Sequence, residues 1–264
     1  MSTTGEVVPG VVDALVNAIM RLNEKCVQHH ADKKSRKQTR VWQGRSPVAS
    51  HEFEIGLAEE LAECLPGLHF FVDYPVSVQR TSRRPATYYP DIMAIEHLQL
   101  DTENPRGDVV GTGTVVGLVD VKVDLGYVNA EFYGLDRRDG TKPAKFNQRE
   151  TELGQAETWT CNYRVGGGSQ GEAKQRPRGN KIILTPIGRL TKVAIVCTAA
   201  NEHKHATAEA FGEALHREGY RLLVLLKNRL HPNDGPLERD EVRENVKSQS
   251  SQIGEAFGDL LKKV

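Results

Sequence analysis

Asp120, Lys122 and Asp124 alternate with Val119, Val121 and Val123 inside the apolar run 114–125. As a β-strand, that run puts the three charges on one face and the three valines on the other. Three charges on a strand that otherwise reads as core are costly unless they serve one another or a bound ion. Upstream, the segment 88–95 (Tyr-Tyr-Pro-Asp-Ile-Met-Ala-Ile) also reads as a strand, with Asp91 near its start. Two strand-borne carboxylates and a lysine are the groups that metal-assisted phosphodiester cleavage requires. The carboxylates hold a hard divalent cation, and the ammonium acts on the attacking water.

A fourth candidate comes from the stretch before these strands. Residues 47–65 predict a helix with Ser46 as N-cap, Pro47 at the first helical position and Pro66-Gly67 closing it. At about 100° per residue, Phe53, Leu57, Ala58, Leu61 and Leu65 form one apolar arc. Glu52, Glu59, Glu60 and Glu63 fall off that arc, as solvated glutamates should. Glu54 falls within it, between Leu57 and Leu61. A glutamate aimed at the core is either a satisfied structural anion or part of a site.

Pro90-Asp91 followed by Asp120-Val121-Lys122, with Glu54 on the preceding helix, resembles the PD-(D/E)XK nuclease superfamily, best known for type II restriction endonucleases. The resemblance implies that Asp91 and Asp120 bind Mg²⁺ with help from the carbonyl oxygen of Val121. It further implies that Lys122 positions or deprotonates a water, and that Glu54 orients the ligand set or reaches a second metal. The implied fold is α/β, a restriction-endonuclease-like mixed central β-sheet flanked by helices on both sides. The implied activity is a Mg²⁺-dependent double-stranded DNA endonuclease of the type II restriction class. Such an enzyme works as a homodimer on a palindromic site and is paired with a companion DNA methyltransferase acting on the same site. The same fold also serves repair and junction-resolving nucleases. A catalytically inactive DNA-binding module is the alternative from another class.

The elements around these residues alternate in type. A helix is expected over 8–28 and a strand over 68–79. The strands of Asp91 and Asp120 complete a three-stranded meander, with a turn-rich insertion at 101–113. Weaker helical character covers 147–161, followed by a Gly/Arg/Lys-rich loop at 164–181. The apolar region 181–198 reads as two strands, with a turn at Gly188-Arg189. A helix at 207–218 stopped by Gly219, a buried strand at 220–226 and a helix at 238–264 broken near 248–251 finish the chain. One nuclease domain over 1–264 is expected: an N-terminal helix and basic arm (1–45), a catalytic core (46–226) and a C-terminal helical region (227–264).

Charge is balanced, with 35 Lys plus Arg against 35 Asp plus Glu in 264 residues, so no global cationic field advertises nucleic acid. Local clusters offer DNA contacts instead. Arg80, Arg83 and Arg84 lie just before the Asp91 strand, and Lys142, Lys145, Gln148 and Arg149 follow the catalytic strand. Two further basic stretches, 33–40 and 164–181, lie farther away in sequence. The four cysteines are scattered without metal-ligand spacing, no apolar run approaches a membrane span and no signal pattern opens the chain, so a reduced cytoplasmic protein is expected. His203 and His205, the pair His29-His30, the run Gly166–Gly168 and Trp42 read as loop or surface features rather than as sites.

Overall fold

The computed structural model describes residues 4–35, 47–79, 85–101, 109–135, 144–163, 180–201, 207–226, 230–232 and 234–262. The chain opens with helix α1 (Thr4–Ser35) and helix α2 (Pro47–Cys64). Strands β1 (His69–Val72), β2 (Val76–Val78), β3 (Ala86–Tyr88), β4 (Ile92–Leu100) and β5 (Val109–Asp124) follow. A 3₁₀ turn (Leu125–Tyr127) leads to the short helix α3 (Ala130–Tyr133), then α4 (Lys145–Gln155), β6 (Trp159–Tyr163) and β7 (Asn180–Thr198). Helix α5 (Ala208–Arg217), strand β8 (Arg221–Leu226) and helices α6 (Arg239–Lys247) and α7 (Ser250–Leu261) complete it.

The eight strands among the described residues join one mixed sheet. Its path runs β1-β4-β5-β7-β6-β2-β3, and β8 also pairs with β7. The expected meander is present: β1, β4 and β5 pair antiparallel in turn. Beyond it, β5, β7 and β8 run parallel, through crossovers that carry α3, α4 and β6 and then α5. Such crossovers place helices on the faces of a sheet. One face carries α1, α2, α6 and α7, packed on Val119, Val121 and Val123 of β5 and on Val193, Ile195 and Cys197 of β7. The alternate residues of β7, Ala194 and Val196, meet Tyr133, Phe146, Phe211 and Leu215 from α3, α4 and α5 on the opposite face. The fold is therefore a mixed α/β sheet flanked by helices on both sides.

Several boundaries differ from the sequence expectation: the helix expected over 8–28 spans Thr4–Ser35, and β5 begins at Val109, inside the expected insertion 101–113. The strand expected over 68–79 is two strands, because Asp73 turns the chain with φ 51°. The strand expected over 88–95 begins at Ile92, leaving Tyr89, Pro90 and Asp91 as a break between β3 and β4. The helix expected over 147–161 ends at Gln155, and Trp159–Tyr163 pairs with β7 as a strand. The two strands expected over 181–198 are one. Gly188-Arg189 lies in a bulge, where the partner of Val115 is Pro186 but that of Gly117 is Thr191.

Among the described residues no helix is long and apolar enough to cross a membrane. Arg80, Arg83, Arg84 and Lys142 lie outside the described residues, as do Ser46, Trp42, the Gly166–Gly168 run, His203 and His205.

Candidate active site

Antiparallel register closes the long sequence gap between the two aspartates. The β4–β5 ladder ends with Ile92 opposite Val119, which leaves Asp91 one step beyond, beside Asp120. With β4 finished, the Val121 N–H donates instead to Asp91 Oδ2, at 2.7 Å. The carboxylate of Asp91 thus takes the place of the next ladder bond. A second tie holds the bend itself: Asp73 N–H donates to the Asp91 carbonyl oxygen at 2.9 Å.

Lys122 completes the cluster. Its Nζ donates to Asp91 Oδ2 and to the Val121 carbonyl oxygen, each at 2.9 Å, and to Asp120 Oδ1. An ammonium has three protons to give, and all three go to oxygens. The side chains of Asp91 and Lys122 remain 23% and 22% exposed, against 4% for Asp120. The cluster therefore opens to solvent on the Asp91 and Lys122 side and is sealed behind Asp120. A small crevice lined by Pro90, Asp91, Asp120, Arg149, Glu150 and Tyr220, but not by Lys122, adjoins the two carboxylates.

Of the two sealing groups, Tyr133 is not legible as a site residue in the sequence, and Arg149 reads there as a DNA contact instead. Tyr133 OH donates to Asp120 Oδ2 at 2.8 Å, and Arg149 Nη2 lies 3.8 Å from the same oxygen. Asn129 caps α3 through its side chain, and Tyr133 is wedged against Phe146 and Phe211 at 4.8 Å between ring centres. Arg149 stacks over Phe146 and ion-pairs with Glu150 at 2.9 Å. Glu150 is buried and also meets Lys192 at 2.7 Å and Tyr220 OH at 3.3 Å. The spacing Phe146, Glu150, Leu153 puts this glutamate on the buried face of α4, the same kind of signal that singled out Glu54.

Glu54 is buried on α2 among Phe53, Leu57 and Leu61. Its carboxyl is pushed up to about 8, first by burial and then by the charges of Asp91, Asp73 and Asp120, with Lys122 opposing. His51 Nδ1 lies 3.7 Å from it. Burial also raises Asp91, helped by Asp120 and opposed by Lys122. Burial would raise Asp120 too, but Lys122, Arg149 and the Tyr133 hydroxyl together hold it below the usual carboxylate range. Lys122 is raised well above its ordinary value: burial works against its charge, and Asp120 and Asp91 outweigh burial. These groups titrate as one set.

Asp124, the third charge on the strand face, belongs to a different arrangement. It is fully buried and accepts from Gly126 N–H at 2.6 Å and Asn201 Nδ2 at 2.8 Å, with His231 Nε2 at 3.0 Å. A Cβ on Gly126 would come within 2.8 Å of Asn201, so glycine is required at that close approach. Of the residues proposed for DNA contact, Lys145 and Gln148 are exposed on the first turns of α4, whereas the Arg149 guanidinium turns inward.

Among the described residues no three His, Cys, Asp or Glu side chains are grouped to hold a metal. The donor set is instead two carboxylates and one backbone carbonyl, all oxygens, converging on a single cationic nitrogen. That is the chemistry a Mg²⁺ ion accepts, with waters filling an octahedron. Comparisons with protein-family models, with curated proteins and with solved structures find no match.

Proposed function

We propose that this chain is a Mg²⁺-dependent endonuclease that hydrolyses phosphodiester bonds in double-stranded DNA, site-specifically in the manner of a type II restriction enzyme. The observation that carries the reading is the convergence of Asp91 Oδ2, Asp120 Oδ1 and the Val121 carbonyl on one point beside the partly exposed Asp91 and Lys122 side chains. A bound Mg²⁺ supplies Lewis acidity toward the phosphate oxygens and a more acidic water.

The chain's own groups do the rest. Asp91 and Asp120 would hold the cation beside the reacting phosphate, and Tyr133 and Arg149 engage Asp120 Oδ2, which leaves Oδ1 to the cation position. Lys122, charged and partly exposed, is placed to orient the attacking water and to neutralise charge that develops on the phosphate. Glu54, which feels the charges of Asp91, Lys122 and Asp120 from α2, would orient the ligand set. Lys145 and Gln148, exposed on the first turns of α4, are suited to phosphate and base contacts. Cutting both strands of a palindrome calls for two copies related by a two-fold axis, so the reading includes a cytoplasmic homodimer and a partner methyltransferase that protects the same sequence.

Incubating supercoiled plasmid DNA with the protein and Mg²⁺ tests this. Discrete fragments with one end sequence support the restriction reading. Nicking, smearing or cutting of cruciform DNA alone moves the protein to a repair or junction-resolving class, and binding without any cleavage makes it a DNA-binding module.

A further inference from the structure

The three oxygens assigned to a metal ion are the same three that receive the protons of Lys122. An ammonium and a divalent cation cannot share one position, and Lys122 has no fourth proton with which to stay bonded while giving up its place. Its side chain is not locked in, however. At 22% exposed, it has a way out along the open side of the cluster, next to Asp91 and away from the Tyr133–Arg149 wall behind Asp120.

We propose that Lys122 occupies the cation position in the substrate-free protein and that a DNA phosphate draws it outward, so that metal uptake is coupled to substrate binding. The inference rests on the nuclease reading above and adds regulation to it. A phosphodiester approaching the exposed Asp91 and Lys122 side of the cluster offers the ammonium an anionic partner outside it. Once Nζ leaves, Asp91 Oδ2, Asp120 Oδ1 and the Val121 carbonyl face the vacated point together. The coupling is reciprocal, because whatever DNA adds to cation affinity the cation must add to DNA affinity. Functionally, the protein would remain poorly loaded until it holds a duplex, and Lys122 would already lie against the phosphate when loading occurs.

The test is Mn²⁺ binding to the full chain, read from the loss of the free-ion electron paramagnetic resonance signal. Wild type, Lys122→Met and Lys122→Gln are compared with and without a short DNA duplex. The proposal expects both variants to bind Mn²⁺ at least about tenfold more tightly than wild type without DNA. It further expects the duplex to tighten wild-type binding by a similar factor while leaving the variants nearly unchanged. A Mn²⁺-dependent rise in melting temperature, larger in the variants, gives an independent readout and reports whether they fold. Equal Mn²⁺ affinity in folded wild type and variants overturns the coupling and leaves the nuclease reading standing. Absence of Mn²⁺ binding in all three, with or without DNA, overturns the nuclease reading itself. Asp120→Asn serves as the control that must lose the bound ion if the signal arises from this cluster.

Discussion

Tyr133 donates its hydroxyl to the one carboxylate oxygen of Asp120 that faces away from Lys122, at 2.8 Å. The two oxygens of Asp120 therefore have separate duties: Oδ2 is anchored to the wall, and Oδ1 is presented to the cation position. Groups that orient a ligand in this way typically contribute about 10–100-fold to metal affinity or activity. Tyr133→Phe keeps the ring and its packing but loses the anchor. The expected result is a Mg²⁺ requirement shifted upward by about tenfold or more, with DNA affinity measured in Ca²⁺ left nearly intact. An unchanged Mg²⁺ dependence would make Tyr133 a packing residue only.

Glu54 predicts a trade between stability and activity. Its folded carboxyl is raised from 4.5 to about 8, so the folded state holds the proton more tightly than the unfolded chain does. Stability from this group is fully present below about pH 4.5 and is lost as pH rises through about 8. Glu54→Gln should match wild type in acid. In metal-free buffer it should then become the more stable protein, by on the order of a few kcal/mol at pH 8 and above. The same variant should cut DNA more slowly. Urea melts at pH 5 and pH 8.5 check the first half; a variant less stable than wild type at both pH values would refute it.

The Glu150–Lys192 pair makes a different forecast. Glu150 is buried and meets Lys192 at 2.7 Å, and Arg149 links it to the Asp120 wall. Removing one partner of a buried pair costs about 3–5 kcal/mol, because the other charge stays behind. Here Arg149 and Tyr220 still contact Glu150, so Lys192→Met should fall at the lower end, about 3 kcal/mol. Chemical denaturation reads this directly. A loss below about 1 kcal/mol would show that the pair behaves as a surface bridge.

Asp124 should separate from its strand neighbours in function. Asp124→Asn puts an amide N–H₂ in place of one oxygen, facing either the Gly126 N–H or both Asn201 Nδ2 and His231 Nε2. The expected cost is about 1–3 kcal/mol of stability, with the Mg²⁺ dependence of cleavage unchanged. If Asp124→Asn instead abolishes cleavage in well-folded protein, Asp124 belongs to the reactive set.

These contrasts show what the sequence could carry. Alternation over 119–124 placed Asp120 and Lys122 opposite the valine face, and the helical arc placed Glu54 in the core, because both are local periodicities. The same alternation grouped Asp124 with them. Only the arrival of Asn201 and His231 from distant segments, at the far end of β5, assigns it elsewhere. Tyr133 was silent for a similar reason, since its partner is thirteen residues away across a chain reversal that no period reports. Arg149 read as one member of a basic run, and its inward turn follows from Glu150 beside it on the buried side of α4. The missed strand Trp159–Tyr163 has the aromatic and β-branched composition that favours strands, but its neighbours had extended a helical reading over it.

Single-turnover cleavage of a DNA duplex cut by the wild-type protein, measured beside Asp91→Ala, Asp120→Ala and Lys122→Ala, decides whether these three residues do the chemistry. Wild type is expected to cut only with Mg²⁺ present, and each folded variant to bind the duplex but leave it uncut. Cleavage at the wild-type rate by any of the three would contradict that residue's place in the mechanism, and cleavage by all three would contradict the site.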